Sequence, residues 1–422
     1  MTHVCRAWRE VFISRPSLWT DLRWKGAKKT QAHLERSKSS PVSLFLEGKL
    51  SPRHPFFQVI PCTIGRLESL TIRDPPEHLD DIARHLSNPE PFLERLELGS
   101  FSTALPTLFA GDFSSLRSLW LWEVRTELPW RNMVNLTSVD LEYVWLMIPI
   151  TCLLDFFESA PRLHRIRLID TVSSSGGQDG RLVSLASLKR MKISVGEPCA
   201  PFLDHLSIPV GAKLDIVWVS LDPPIYENLF PKSLDNFRNL SNFTVVSLDC
   251  YCEFSCATFA GPSGELSVTC KIRKALIAEA LGFLARLGSS TTERLSICGG
   301  GTPAIDAVHG VLLPMQDLHT LSLSKCETEY TLIHFLSPQP QPSSVVFCPK
   351  LKKLDLSLRS GNEAKPAIQN VIKMAASRAS RGAKLKTVGF WEDRSGFDPE
   401  DVSELEKHVS QVEFGIRTVQ KD

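Results

Sequence analysis

The sequence predicts an α/β fold in which short parallel strands stack one after another into an array. Three observations support this. Leucine is unusually abundant, at 56 of 422 residues. An apolar triplet of the form L-x-x-L-x-L returns at a nearly constant interval along the chain. Several of the segments between triplets have the apolar spacing of helices.

The triplets allow Ile, Val, Phe or Met in place of Leu. They begin at Leu67, Leu93, Leu116, Leu136, Leu163, Leu188, Leu214, Leu240, Thr292, Leu318, Leu351 and Leu385. Most starting positions lie 20–27 residues apart, which is the period of leucine-rich repeats. The interval of 52 residues after Leu240 is two periods, so we expect a degenerate unit near Leu266. The array would contain about 12–13 irregular units.

Each triplet predicts a short strand, because its last two apolar residues are two apart and share one face. The return segments 152–158, 277–287 and 364–380 are predicted to be helical. A helix over 399–412 and a strand over 413–416 would close the array. The predicted fold is therefore a leucine-rich-repeat solenoid, an arc with parallel strands on its concave side.

Composition and charge exclude several classes of protein. The chain has 48 basic and 47 acidic residues, a net charge of +1. This argues against a protein that coats nucleic acid, because such a protein needs an excess of Lys and Arg to neutralise phosphates. Its longest apolar run, 144–154, is too short for a membrane span. The first residues lack a signal peptide, so we expect an intracellular protein, cytoplasmic or nuclear, with free thiols.

No motif predicts catalysis, a cofactor or a metal. The chain has no HExxH, GxSxG, Walker A or GxGxxG sequence. Four cysteines lie close together, at Cys250, Cys252, Cys256 and Cys270, but without a CxxC pair. We expect these to be structural thiols rather than zinc ligands. The sequence therefore predicts a protein without catalytic activity.

The N-terminal segment does not follow the repeat. Apolar residues at 4, 8, 11 and 12 have helical spacing, Pro16 breaks the helix, and residues 17–20 form a second short element. This segment resembles the C-terminal half of an F-box, whose pattern ends VC..W…….P.LW. The matching residues are Val4, Cys5, Trp8, Pro16, Leu18 and Trp19. Residues 33–48 resemble the linker of F-box proteins from basidiomycete fungi, which also carry irregular leucine-rich repeats.

The resemblance implies an adaptor without chemistry of its own. In such proteins the F-box binds Skp1, and through it a cullin, within an SCF ubiquitin ligase, while the repeat arc captures a protein substrate. The domains would be a partial F-box (1–25), a linker with the cap of the array (26–60) and the repeats (61–422). The first half of the F-box is missing from the sequence. The alternative is therefore a ligase-independent scaffold of leucine-rich repeats that has lost Skp1 docking.

The residue between the second and third apolar positions of each triplet should face the concave side. This column reads Thr71, Glu97, Trp120, Asp140, Arg167, Lys192, Trp218, Thr244, Ser296, Ser322, Asp355 and Gly389. Trp120 and Trp122 are predicted to be exposed there as aromatic anchors for an unidentified protein partner. Acidic residues (Glu97, Asp140, Glu142) surround them, and a basic patch follows (Arg165, Arg167, Arg190, Lys192). Alternatively, an inserted loop covers the tryptophans, or the local register differs.

Overall fold

The fold is known from a computed structural model. It describes residues 5–24, 26–47, 55–73, 86–99, 108–124, 132–144, 148–171, 180–196, 200–218, 235–250, 255–270, 280, 282–286, 289–299, 311–324, 333, 336–337, 346–357, 364–391, 394 and 397–415. The chain divides into two compact units, residues 1–209 (unit 1) and 210–422 (unit 2). The sequence did not indicate this division.

Unit 1 is an α/β unit whose main strands are all parallel. Its helices are α1 (Arg6–Ser14), α2 (Ala27–Ser37), α3 (Ile150–Ser159) and α4 (Ala200–Leu203). Its strands are β1 (Asp21–Arg23), β2 (Val42–Glu47), β3 (Leu67–Arg73), β4 (Arg95–Gly99), β5 (Ser118–Trp122), β6 (Ser138–Glu142), β7 (Arg165–Ile169), β8 (Val183–Ser184), β9 (Arg190–Val195) and β10 (Leu206–Ser207). Strands β1 to β7 and then β9 pair in order, and β8 pairs separately with β10. The predicted parallel α/β class is confirmed at this level.

The apolar triplets form a large part of the core of unit 1. Their three positions form three rows, each of which runs from strand to strand and is almost fully buried. The second position gives the row Leu70, Leu96, Leu119, Val139, Ile166 and Met191. The row continues backward onto β2 and β1, at Leu44 and Leu22. Full burial of such a side chain contributes roughly 1.5–3 kcal/mol, so these rows dominate the stability of the sheet.

The predicted helix over 152–158 is present as α3, which begins two residues earlier. Its buried side chains are Ile150, Leu153, Leu154, Phe156 and Phe157. In the N-terminal segment, α1 is followed by a 3-10 turn, Pro16–Trp19, so the predicted pair of short elements is also present. Pro16 occupies the first position of that turn, where a missing N–H costs nothing.

Unit 2 is also an α/β unit with a mostly parallel sheet. Its helices are α5 (Ala364–Ser380) and α6 (Pro399–His408). Its strands are β11 (Lys213–Trp218), β12 (Val245–Cys250), β13 (Ser255–Gly261), β14 (Gly264–Cys270), β15 (Arg294–Cys298), β16 (Thr320–Ser324), β17 (Lys353–Ser357), β18 (Thr387–Phe390) and β19 (Gln411–Phe414). The helix predicted over 364–380 has the observed bounds. The closing helix ends at His408 rather than at 412, and residues 411–414 form the last strand. Of the helix predicted over 277–287, residues 280 and 282–286 are described and helical.

The predicted connection to the strand near Leu266 is wrong. Instead of one more parallel repeat, β12, β13 and β14 form an antiparallel meander, and β14 then pairs in parallel with β11. A tight turn at 262–263 reverses the chain. Gly261 and Gly264, beside this turn, let the hairpin lie close to the backbone at Asn242 and Ala212. A Cβ on Gly261 would lie 2.2 Å from the carbonyl oxygen of Asn242. The 52-residue interval therefore contains the hairpin of β13 and β14. In the sheet this hairpin lies between the parallel strands β11 and β12.

The predicted register is wrong on β11 and β12. Trp218 is buried at 3% exposure, because β11 turns Leu214, Ile216 and Trp218 toward the core. In β12 the buried residues are Val246 and Leu248, whereas Val245, the third apolar residue of the predicted triplet, is 37% exposed. Both segments have apolar residues on both possible faces, and a slip of one residue exchanges the faces of a strand.

Candidate partner-binding face

Alternation along the strands of unit 1 turns every second side chain away from the core. Strand register aligns these side chains into three rows. The serine row is Asp21, Ser43, Ser69, Arg95, Ser118, Ser138, Arg165 and Arg190. The aromatic row is Arg23, Phe45, Thr71, Glu97, Trp120, Asp140, Arg167 and Lys192. The third row is Glu47, Arg73, Gly99, Trp122, Glu142, Ile169 and Ser194. All nine partner-binding residues predicted from the sequence lie in these rows.

Trp120 is half-buried and held by its neighbours. The guanidinium carbon of Arg73 lies 4.9 Å from the centre of the indole ring. On the opposite side, the indole Nε1 donates to Glu142 Oε1 at 3.3 Å. Such a cation–π contact contributes about 0.5–1 kcal/mol at an accessible site. Trp120 is therefore a fixed aromatic surface, ordered before any partner arrives.

Trp122 is also half-buried and lies against β4 at a position without a side chain. A Cβ on Gly99 would be 2.9 Å from Cε3 of the Trp122 ring. Gly99 and Trp122 are register partners on neighbouring strands. The absence of a side chain at Gly99 therefore lets the indole lie down across the sheet rather than stand out from it.

Ion pairs across the strands join the acidic residues of this face to Arg73 and Arg167, so the predicted acidic and basic patches meet at Arg167. Arg167 donates to Asp140 at 3.0 Å and also contacts Glu142. Arg73 donates from Nε to Glu97 at 2.6 Å. Burial raises the pKa of Asp140, although the hydrogen bond and the charge of Arg167 oppose that rise. The prediction missed these pairs because their members are 24–27 residues apart in sequence.

The remaining residues of the predicted basic patch lie at one end of the face. Arg165 and Arg190 are exposed register partners in the serine row, and Lys192 is a half-buried neighbour of Arg167 in the aromatic row. Arg165 is close enough to Asp140 for its charge to act on that carboxyl. The predicted basic patch is thus brought together on β7 and β9.

An open groove of about 560 Å³ runs along the serine and aromatic rows. Its lining includes Ser69, Arg95, Ser118, Trp120 and Arg165. The sequence prediction included Arg165 and Arg190 of the serine row but missed its serines and Arg95, because it did not follow the position before the second apolar residue as a row. The residue before the second apolar position also faces outward, and reading it as well would have found these side chains.

The F-box-like residues fall into two structural groups, and the first is exposed. Trp8 is 60% and Leu18 49% exposed, and Phe12, whose ring centre lies 6.3 Å from that of Trp8, is 49% exposed. Cys5 is also exposed, before the first turn of α1. Val4 lies outside the described residues. Together these side chains make an apolar surface on α1 and the turn that follows it.

Trp19 belongs to the second group, because it faces the rest of unit 1. Its Nε1 donates to the carbonyl oxygen of Phe12 at 3.0 Å. Its ring meets His33 of α2 edge-on at 4.9 Å, and Arg36 lies 4.4 Å above it. Trp19 therefore fixes α1 to α2 and does not form part of the exposed surface.

Within the described residues, no group of His, Cys, Asp and Glu side chains has the arrangement of a metal site. Cys256 is half-buried beside hydroxyl groups, whereas Cys270 is buried in the core on the opposite face of the β13–β14 hairpin. Cys252 lies outside the described residues. Among the helices that the structure describes, none has the length and apolar character needed to cross a bilayer.

No model of a known protein family matches the chain, and a search of curated proteins gives no match. Support for a function therefore comes from the residues and their geometry.

Proposed function

We propose that this chain is an F-box-type adaptor, the substrate receptor of an SCF ubiquitin ligase. In this proposal α1 and the following turn bind Skp1, and through it a cullin, inside the cell. The remaining chain forms a leucine-rich-repeat solenoid whose strand face captures a protein substrate. The protein needs no cofactor and catalyses no reaction.

The observation that carries this proposal is the exposed apolar surface on α1. Trp8, Phe12 and Leu18 each leave about half or more of their area in solvent. Val11 and Ile13 of the same helix are also exposed, at 45% and 40%. Several large apolar side chains exposed on one short helix are typical of a segment that binds another protein. Two of these residues, Trp8 and Leu18, belong to the F-box-like motif, as does the exposed Cys5 just before α1.

The repeat assignment is supported by the rows of buried triplet residues and by the parallel order of β1 to β7. In a solenoid each unit contacts its neighbours and buries a shared core. The partner face is supported by Trp120 and Trp122, whose fixed rings lower the entropy lost on binding.

The test of Skp1 docking is a binding measurement with purified Skp1. The variant Trp8→Ala/Phe12→Ala/Leu18→Ala should lose binding while its circular dichroism and melting curve stay unchanged, because all three side chains are exposed. A matched control is Phe92→Ala, which removes an aromatic ring that is 55% exposed elsewhere on unit 1. The proposal fails if the unaltered chain does not bind Skp1, or if the triple variant binds it as well as the control does.

One observation favours the alternative, a scaffold that binds partners without Skp1. Trp19, a central residue of the motif, is occupied by contacts within unit 1. On that reading the motif only caps the repeats. A scaffold would still retain a protein partner in a pull-down that contains neither Skp1 nor a cullin.

The partner face has its own test. Trp120→Ala/Trp122→Ala should reduce capture of the protein partner, measured with a partner first identified by pull-down of the unaltered chain. Unchanged capture by this variant would rule out the tryptophans as anchors.

A further inference from the structure

We propose that the groove of unit 1 binds an extended acidic segment of a protein, with two carboxylates four residues apart on Arg95 and Arg165. The segment would cross the strands along the serine row. This inference rests on the proposed role of the face in binding a protein partner and names the chemistry of that partner.

The first argument is the pairing of charges on the face. Arg23, Arg73 and Arg167 each have an acidic partner within the protein: Asp21 at 3.1 Å, Glu97 at 2.5 Å and Asp140 at 3.0 Å, respectively. Arg95 and Arg165 also line the groove and are exposed, but among the described residues neither forms an ion pair. Their guanidinium groups remain available to carboxylates from another chain, which they bind through paired N–H donors.

The second argument is distance. Arg95 lies on β4 and Arg165 on β7, in the same row and three strand intervals apart. At ~4.8 Å per interval the two positions are about 14 Å apart. An extended chain rises ~3.4 Å per residue, so four residues span the same distance. An acidic residue and the fourth residue after it would therefore reach both arginines.

The third argument is the floor of the groove between the arginines. Ser118 and Ser138 occupy the two intervening positions of the row and are half-buried. In the described part of the chain neither hydroxyl has a hydrogen-bond partner. Their small side chains leave space for a peptide backbone, and their hydroxyl groups can donate to its carbonyls. Trp120 forms the adjacent wall, against which an apolar residue between the two acidic ones would pack.

The groove also contains charges that select against a continuous polyanion. Glu97 and Asp140 line it between and beside the arginines. A nucleic-acid backbone would bring phosphates close to both carboxylates, and like charges repel. Two separated carboxylates avoid them, so the arrangement favours an acidic peptide.

The experiment is a fluorescence polarisation titration of the full chain with a labelled peptide. The probe carries two glutamates separated by three residues, with a leucine in the middle and glycine and serine elsewhere. Comparison peptides carry glutamines instead, adjacent glutamates, or phosphoserines at the two acidic positions, and a single-stranded oligonucleotide is a further comparison. We expect the spaced glutamate peptide to bind best, and its affinity to fall as salt is raised.

Single variants Arg95→Gln and Arg165→Gln should each weaken binding about threefold to fivefold, and the double variant about ninefold to 25-fold. The matched control Arg162→Gln removes an arginine that pairs with Asn135 outside this groove, and it should bind as the unaltered chain does. Tighter binding of the phosphoserine peptide or of the oligonucleotide would overturn the choice of carboxylates. No saturable binding of the glutamate peptide up to about 1 mM, the weak limit of specific recognition, would overturn the proposal itself.

The two proposals fail in different ways. If Trp120→Ala/Trp122→Ala abolishes capture of the partner but Arg95→Gln/Arg165→Gln does not, the face binds a protein and the acidic segment is wrong. If neither variant affects capture, the face itself is not the binding surface.

Discussion

Substitution of Arg378 tests how unit 2 stabilises the turn that leads into β17. This residue of α5 has no exposed surface. Its Nη1 donates to the carbonyl oxygen of Phe347 and its Nη2 to that of Cys348, each at 2.8 Å. Burial lowers the pKa of Arg378 and raises the pKa of the Cys348 thiol to about 12, so the thiol stays neutral at physiological pH. The variant Arg378→Met keeps an unbranched apolar stem and removes the guanidinium with both donors.

The expected cost follows from the two acceptors. The carbonyl of Cys348 is in a buried setting, and leaving it without a donor costs about 1–3 kcal/mol. Phe347 is half-buried, so water can partly replace the lost bond at its carbonyl, which then costs about 1 kcal/mol. Removing a buried guanidinium also removes its own desolvation penalty, which offsets part of this loss. We expect a net destabilisation of about 2–4 kcal/mol.

Hydrogen exchange measured by mass spectrometry is the suitable assay, because a chain with two units need not unfold in a single transition. Peptides covering 346–357 and 364–380 should exchange about 30-fold to 900-fold faster in Arg378→Met, the kinetic equivalent of that energy. Lys373→Met is the control, since Lys373 lies on the same helix and is exposed. If both variants exchange at the same rate in these peptides, the two hydrogen bonds do not stabilise the turn.

Three further predictions concern backbone space and burial. Gly261→Ala should destabilise unit 2 by about 2–4 kcal/mol in urea unfolding, because the new Cβ would meet the carbonyl oxygen of Asn242 at 2.2 Å; an unchanged midpoint would contradict the tight hairpin. Burial raises the pKa of Asp249, so its contribution to stability is present below about pH 4 and is lost as the pH rises through the folded pKa. Asp249→Asn should therefore stabilise the protein at neutral pH and have little effect at about pH 3, and equal effects at both would refute this. Gly99→Ala should displace the Trp122 ring, seen as a shift of its ¹⁹F resonance in protein labelled with fluorotryptophan; an unmoved resonance would show that the ring is not held by that contact.

The repeated core was predictable from the sequence because burial imposes a fixed spacing on each strand. A residue such as Leu119 must be apolar wherever its strand joins the sheet, and its neighbours Leu96 and Val139 meet the same requirement one period away. The bounds of α5 were predictable for a related reason, since its apolar residues follow the helical period without interruption. The rows that carry Trp120 and Trp122 follow from the same alternation.

Only the tertiary structure decided which residues meet across strands. The pair of Arg167 with Asp140, the contact of Arg73 with Trp120 and the space above Gly99 all depend on strand register, which joins residues far apart in sequence. The β13–β14 hairpin and the burial of Trp218 were undetermined for the same reason, because those segments carry apolar residues on both faces. Periodicity determined what each strand buries, and register determined what the groove presents to a partner.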